Sequence, residues 1–406
     1  MSGPRESNVP EWDPFFSIPD DRTWNACIGL QGDEENYVDG YIDAALELAK
    51  LIIEKDMFVD RDTLILPILY NARHGVELSL KYAIHRLHSA RIIGDLHQPN
   101  HNVESHWKHL QNAGVGDEEL RTNISDLTSY ITSLSSIDED GQQLRYATNV
   151  EGVKSLQGKP LANIAVIRDS LEALRALLRR MKGRIQEICA EHVIGTHTRE
   201  CSRKDLMQIA SLLPPKTEWT TAAFDVAKQT IRARYNLSSN KFCTAVNAIQ
   251  SNREMRAKLG LESKLKHLSD AHARHVIHQW SLLHAARDKA NYLGLDYSID
   301  RNWNASVTYF KQKTSVVKAI LHELSADDFA DVETVYYLGR DGQLSEEYET
   351  QLLQTKQQYE LENDLTGKVN HILTKTNLLR YLAKGLLRIG KPTLADELAT
   401  IRPDMM

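Results

Sequence analysis

Helical periodicity is the feature that most constrains the fold of this chain. From Tyr37 to Lys55 the apolar residues recur at intervals of three and four, and similar spacing continues through most of the sequence. Runs in which apolar and polar residues alternate, which are typical of strands, are almost absent. Sustained helical spacing without strand patterns predicts an all-α fold.

Changes in composition divide the chain into three parts. Residues 1–36 are rich in Pro, Asp, Glu and Gly, which predicts an extended lead-in. The long helix predicted over about 163–190 is followed by the loop-like sequence GTHTRECSRKD, where we place a domain boundary. We therefore predict a helical bundle over 37–195 and a second, all-helical domain over 196–406.

The second domain is predicted to consist of successive helices. LSSNKF and LSADDF each predict a helix start, because a serine precedes a charged or polar first turn. Ser202 is a third predicted cap. The predicted helices lie near 217–235, 239–258, 264–293, 303–323, 326–338, 344–360, 363–388 and 391–400.

Charge and cysteine content bound the cellular setting. The formal net charge is −6, so nucleic-acid binding requires a local basic patch. The four cysteines suit a reducing cytoplasm better than a disulfide framework. The N-terminus lacks a cationic start followed by an apolar core, and no run of about eighteen apolar residues occurs. We therefore expect a cytoplasmic protein without a signal peptide or membrane span.

The stretch NARHGVELSLKYAIHRLH, residues 71–88, contains a charged column. Residues four apart on a helix lie nearly above one another, so this stretch divides into four columns. One column is apolar, one is small and one carries mostly large side chains. The fourth consists of Arg73, Glu77, Lys81 and His85.

Two interpretations of this charged column are open. The first interpretation is a solvated face, on which each charge pair contributes only about 0.2–0.5 kcal/mol. Alternatively, the other three columns contact neighbouring helices, so that the charges line a groove or a subunit seam and must be paired there. The second interpretation fits a binding cleft and a structural polar network equally.

The same helix resembles the HEPN superfamily. ARHGVELSLKYAI, followed by HNVESHWKHL, is similar to the HEPN pattern in which a Q-A-x-E-x-x-L-K-type helix leads to H-D-L. His74 stands in the Gln position, Glu77 at the Glu, and Leu80 and Lys81 at the Leu–Lys pair. Residues 101–103, His-Asn-Val, stand for His-Asp-Leu. LRYATNVEG, residues 144–152, resembles the Arg-Tyr-Pro segment of many HEPN chains, and the resemblance spans about 37–190.

The resemblance implies an antiparallel helical bundle that forms a homodimer. Many HEPN domains are metal-independent ribonucleases of toxin–antitoxin and anti-phage systems, while others bind nucleotides, RNA or partner proteins. Active members carry an Arg, four to six residues and then a His, and one such pair from each subunit meets at the dimer seam. The Arg holds the scissile phosphate and the His moves the proton.

The Arg–His spacing has two candidates here. After Arg145 the permitted positions hold Val150, Glu151 and Gly152, none of which is His. Arg91 and His97 fit the spacing. However, they lie in the loop after the second predicted helix, where the HEPN family does not usually place this motif. The spacing makes Arg91, His97 and Arg145 candidate catalytic residues. The resemblance adds Glu77, Lys81 and His101.

A locally basic region supplies the candidate nucleic-acid contacts. Residues 168–205 contain nine basic and six acidic residues. A solvated helix face and a phosphate-contacting strip both fit this pattern. The candidate contacts are Arg175, Arg179, Arg180, Lys182 and Arg184.

No cofactor or metal ion is expected. The sequence contains no glycine-rich phosphate loop and no HExxH motif. Cys189, His192, His197 and Cys201 have a spacing that suits tetrahedral zinc, although Cys189 fits a helical core position equally well.

Two functions from different classes follow. The first is a defence or toxin-type protein that acts on RNA, a ribonuclease if an Arg–His pair is assembled across a dimer. The second is a non-catalytic helical module that binds nucleic acid or a partner protein of a defence or regulatory complex. An acidic scaffold that does not bind nucleic acid is a third possibility.

Overall fold

The computed structural model describes residues 13–18, 20–27, 29, 34–148, 151–159, 161–284 and 299–405, with side chains from 307 onward in the helix that begins at Ile299. Within these ranges the regular structure is helical, and one isolated antiparallel bridge joins Thr148 and Lys154. The predicted all-α class is confirmed. The lead-in predicted over 1–36 lies partly outside the described residues, as do Val150 and residues 285–293 of one predicted helix.

Internal contacts divide the chain into two compact units. The first comprises the described residues up to His85, then Leu96–Asn112 and Ile124–Lys182. The second comprises Arg86–Asp95, Ala113–Asn123 and the described residues from Gly183 onward. Two segments that precede position 183 therefore belong to the second unit.

The first unit is built on two long helices that pack closely. Its helices lie wholly or partly in α1 (Glu34–Glu54), α2 (Arg61–Ser89), α3 (Val103–Asn112), α4 (Glu118–Asp126), α5 (Thr128–Ile137) and α6 (Ile164–Ile194). The small column of α2 lies against α1, since a Cβ atom at Gly75 would come within 2.7 Å of Ile42 Cγ1. The apolar column is buried at Ala72, Val76 and Leu80. The four-column division of α2 therefore describes its packing.

The second unit contains two apolar clusters. Cys201 and Leu206 belong to the first cluster, which α7 (Arg203–Leu212), α8 (Ala222–Arg234), α9 (Ser239–Ser251) and α10 (Arg253–Lys258) surround. Trp280 and Tyr336 belong to the second. Its helices are α11 (Asp270–Leu283), α12 (Ile299–Glu323), α13 (Ala326–Asp341), α14 (Tyr348–Glu362), α15 (Leu365–Leu373), α16 (Leu378–Arg388) and α17 (Pro392–Ala399).

The predicted serine caps are confirmed. Ser202, Ser238 and Ser325 each accept a hydrogen bond from a backbone N–H in the first turn of α7, α9 and α13. These bonds satisfy donors that have no partner within the helix.

Two predicted helices are each divided in two, and the helix predicted over 363–388 forms α15 and α16. Residues 239–258 form α9 and α10, because Asn252 adopts an extended backbone and its side chain accepts from Met255 N. The same amide donates to Thr196 Oγ1. Asn252 thus ends one helix and caps the next, since a short polar side chain competes with helical hydrogen bonds.

Among the described helices, none combines the length with the apolar character that a bilayer crossing requires.

Candidate functional site

The charged column of α2 contains a buried ion pair. Arg73 and Glu77 are 2% and 1% exposed, and Arg73 Nη1 lies 3.1 Å from Glu77 Oε2. Lys81 is partly exposed, and the side chain of His85 is 61% exposed and pairs with Glu34 at 3.3 Å. Each interpretation of the column therefore holds at one end: Arg73 and Glu77 are shielded, whereas His85 is solvated.

Arg73 connects α2 to two loops of the first unit. Its Nε donates to Asp138 O at 2.8 Å, and its Nη2 donates to the carbonyl oxygens of Glu139 and His101. Carbonyl oxygens in a low-dielectric interior need such donors, and the planar guanidinium can reach several of them at once. Arg73 consequently fixes the positions of the loops that contain His101 and residues 138–141.

Glu77 brings Lys81 and His101 together, and we call Glu77, Lys81 and His101 the Glu77 site. Glu77 Oε1 lies 2.6 Å from Lys81 Nζ and 2.9 Å from His101 Nδ1. Burial by itself would raise the pKa of Glu77, but the hydrogen bonds from Lys81 and His101 outweigh it and lower that pKa below its usual value. The buried carboxylate therefore stays ionised and holds both neighbours.

The hydrogen bond to Glu77 determines which nitrogen of His101 is available. An ionised carboxylate only accepts, so Nδ1 carries the hydrogen and donates it to Glu77. In the neutral ring Nε2 is then the acceptor, and the side chain is 62% exposed. Such an imidazole can take a proton from a hydroxyl group that approaches from solvent.

Arg145 lies on the loop that Arg73 anchors. Its Nε donates to Gly141 O, and its guanidinium carbon lies 6.0 Å from the Tyr70 ring centroid and 5.6 Å from that of Tyr146. Gly141 has a φ of +79°, and a Cβ atom there would lie 3.0 Å from Arg73 Nη1. A glycine is therefore required where this loop passes over the buried guanidinium.

Arg91 and His97 are placed in different units. Arg91 belongs to the second unit, is exposed and has a φ of 59°. His97 belongs to the first unit, where its ring lies 4.4 Å from the ring of His106 and 5.2 Å from that of His109. Their pairing as a catalytic Arg and His stays a prediction.

Most of the predicted basic strip forms ion pairs inside its own unit. Arg175 and Arg179 contact Asp43 at 3.2 Å each, and Lys182 contacts Asp39 at 2.5 Å, which holds α6 against α1. In the second unit the buried Arg184 forms ion pairs with the buried Asp117 and with the less buried Glu187 and Glu191. Arg180 is exposed, with no side-chain partner among the described residues. Nucleic-acid binding by this strip stays a prediction.

The Cys–His spacing does not produce a metal site in the described part of the chain. No group of three or more His, Cys, Asp or Glu side chains is arranged there to hold an ion. Cys201 is fully buried, and burial raises the pKa of its thiol to about 12. Cys189 Sγ lies 3.7 Å from Arg86 O, while His192 and His197 stack on each other.

Asp138 is the component of this region that sequence reasoning missed. Its side chain is fully buried and accepts from the backbone N–H groups of Gln143 and Leu144, while its carbonyl accepts from Arg73. Asp138 therefore shapes the loop beside the Glu77 site. The available signal was its place in SSIDEDGQQ, where an acid follows an apolar residue at the start of a turn.

Comparisons with known proteins give no relative of this chain: no family model, no curated protein and no solved structure matches it.

Proposed function

We propose that the first unit cleaves RNA without a metal ion, using His101 as general base, Glu77 as the group that orients it and Lys81 as the neighbouring cation. The observation that carries the proposal is the exposed imidazole of His101, whose Nδ1 lies 2.9 Å from Oε1 of the buried Glu77. A carboxylate that orients an imidazole in this way fixes its tautomer and stabilises the imidazolium that forms.

The proposed reaction is an attack by a ribose 2′-hydroxyl on the adjacent phosphorus. Nε2 of His101 takes the hydroxyl proton, and the 2′ oxygen forms a bond to phosphorus. The bond from phosphorus to the 5′ oxygen breaks, which leaves a 2′,3′-cyclic phosphate. The 5′ oxygen takes a proton from water, and the hydroxide that remains takes the proton held by the His101 imidazolium. The ammonium of Lys81, 2.6 Å from the same Glu77 oxygen, stabilises the charge on the phosphoryl oxygens.

The proposal includes the setting that the HEPN resemblance implies. In that setting residues 37–195 form a HEPN-like bundle, the protein acts as a homodimer, and Arg145 supplies a further phosphate contact at the seam. What supports this part is that Glu77, Lys81 and His101 carry the resemblance and that Lys81 and His101 both hydrogen-bond to Glu77. In the cell, the protein would either defend against phage or act as a toxin that cleaves RNA.

The test is cleavage of total RNA and tRNA by purified protein in EDTA. We expect His101→Ala to lower the cleavage rate by about 100- to 10,000-fold, as removal of a general base does. Lys81→Met should lower it by a smaller factor. Arg145→Ala and His97→Ala test the contribution of the Arg–His pattern. The mass of each sample in solution reports whether the active species is a dimer.

His85→Ala is the matched control, because His85 lies in the same column of α2 but is exposed and pairs with Glu34 alone among the described residues. It should retain the wild-type rate. Absence of EDTA-resistant cleavage, or cleavage that His101→Ala does not change, would exclude the proposed reaction. RNA that is bound at low salt and released at higher salt without cleavage would favour the non-catalytic binding module instead.

A further inference from the structure

A cleft in the second unit contains arginines that have no ion-pair partner. One cavity of about 300 Å³ and a wider depression of about 810 Å³ share three lining residues, Arg91, Ile92 and Arg199. His192 and His197 line the smaller cavity, and His88 lines the wider part. All of these residues belong to the second unit. The cleft is therefore separate from the Glu77 site of the first unit.

The positive charge of this cleft is not neutralised by its own acids. Of the other charged residues that line it, Glu191 pairs with the buried Arg184, and Arg203 pairs with Glu254 and Glu346. Glu200, next to Arg199 in sequence, pairs with Lys241 at 3.0 Å. Within the described residues, the guanidinium groups of Arg91 and Arg199 have no hydrogen bond or ion pair. Two positive charges thus remain available to a ligand.

Polar groups beside these arginines add hydrogen-bonding capacity. The rings of His192 and His197 stack with centroids 3.9 Å apart. His197 Nδ1 lies 3.0 Å from Gly195 O and donates to it, which leaves Nε2 for another partner. Thr198 also lines the cavity. Guanidinium groups with adjacent hydroxyl and imidazole groups are typical of phosphate recognition.

The backbone at Arg91 gives an independent reason to assign a role to its side chain. Arg91 follows the end of α2 with a φ of 59°, and its N–H donates to His88 O while Ile92 N–H donates to Leu87 O. Glycine is the preferred residue at this left-handed position after a helix, because any side chain there is strained. An arginine at a position that favours glycine lowers the stability of the fold. Contact with a ligand is a functional reason for an arginine at such a position.

We propose that this cleft binds a phosphate monoester the size of a mononucleotide, with the phosphate between Arg91 and Arg199. The smaller cavity is at the lower end of the volumes that small-molecule sites occupy, and the wider depression extends it. A free phosphate, a sugar phosphate and a nucleotide all carry the phosphate dianion that this cleft would bind. The experiment below tests one compound of each kind.

The test is calorimetric titration of the full-length protein with AMP, ribose 5-phosphate, inorganic phosphate and adenosine. We expect saturable binding of AMP and none of adenosine at the same concentration. Arg91→Gly and Arg199→Ala should each weaken AMP binding at least about tenfold, as loss of a charge-assisted hydrogen bond does. Equal affinity for AMP and inorganic phosphate would support the site and identify free phosphate as its ligand.

Arg91→Gly separates binding from folding. Glycine relieves the left-handed backbone, so this variant should unfold at or above the wild-type temperature while it loses affinity. Arg380→Ala removes an exposed charge elsewhere in the second unit and should bind AMP normally. The inference is overturned if no phosphate probe gives saturable binding, or if Arg91→Gly and Arg199→Ala bind AMP as tightly as wild type.

Discussion

At the scale of single residues, Arg73 has more hydrogen-bond partners than any side chain of the Glu77 site. It contacts the Glu77 carboxylate and three backbone carbonyls, and it is itself 2% exposed. A charge in this position is stable only because each neighbour is an acceptor. Its role is to position His101 through the loop carbonyl, whereas the imidazole carries the proposed chemistry.

Replacement of Arg73 by methionine tests this structural role. The change leaves Glu77 buried with one cation fewer and the carbonyls of Asp138 and Glu139 without their donor, so we expect a loss of about 3–5 kcal/mol of unfolding free energy. Urea denaturation measures it. His85→Ala, at the exposed end of the same column, should change the free energy by less than about 0.5 kcal/mol. A loss below 1 kcal/mol for Arg73→Met would contradict the assigned role.

At the scale of helices, close approach depends on glycine pairs. Gly339 of α13 and Gly385 of α16 contact each other's helix: a Cβ atom at Gly339 would lie 2.0 Å from Tyr381 O, and one at Gly385 would lie 1.9 Å from Val335 O. Backbone atoms cannot move aside as a flexible side chain can. The crossing of α13 and α16 therefore tolerates no side chain at either position.

Gly385→Ala should destabilise the protein despite the better helix propensity of alanine. The propensity gain is about 1 kcal/mol, while forcing two packed helices apart costs about 1–3 kcal/mol or more. Thermal unfolding checks the prediction. Gly183→Ala in α6 is the matched control, because no atom lies within 4 Å of its added Cβ, and it should raise stability. Equal behaviour of the two variants would show that the crossing is not tight.

At the scale of the whole molecule, a buried carboxyl pair couples stability to pH. Burial and the charge of Asp117 raise the pKa of Asp205 to about 7. Burial alone would also raise the pKa of Asp117, but hydrogen bonds from Arg184 and Ser202 outweigh it and lower that pKa. Because the folded state holds the Asp205 proton more tightly than the unfolded chain, its contribution to stability falls as the pH rises from about 4 to 7.

Asp205→Asn should remove this dependence. We expect the variant to gain on the order of 1–4 kcal/mol relative to wild type at pH 8 and little or nothing at pH 4, since one unit of pKa corresponds to about 1.4 kcal/mol. The asparagine oxygen can still accept from Glu118 N and Ser202 N. Unfolding at both pH values measures the difference, with exposed Asp225→Asn as control. A gain that does not change with pH would contradict the assignment.

The local features of this chain were predictable from sequence because they depend on neighbours a few residues apart. Helix spacing, the caps at Ser202, Ser238 and Ser325, and the small column at Gly75 are all of this kind. The division at Asn252 was missed. Its side chain caps α10 locally but also bonds to Thr196, a partner that sequence spacing does not indicate.

By itself, the sequence determined that the chain is helical, where most helices begin and which residues of α2 share a face. Only the tertiary structure decided that Arg73 and Glu77 are buried while His85 is exposed, that His101 meets Glu77, and that Arg91 belongs to a cleft of the second unit. The physical reason is that a helix's own geometry orders its faces, whereas burial and charge pairing depend on segments that are distant in the chain.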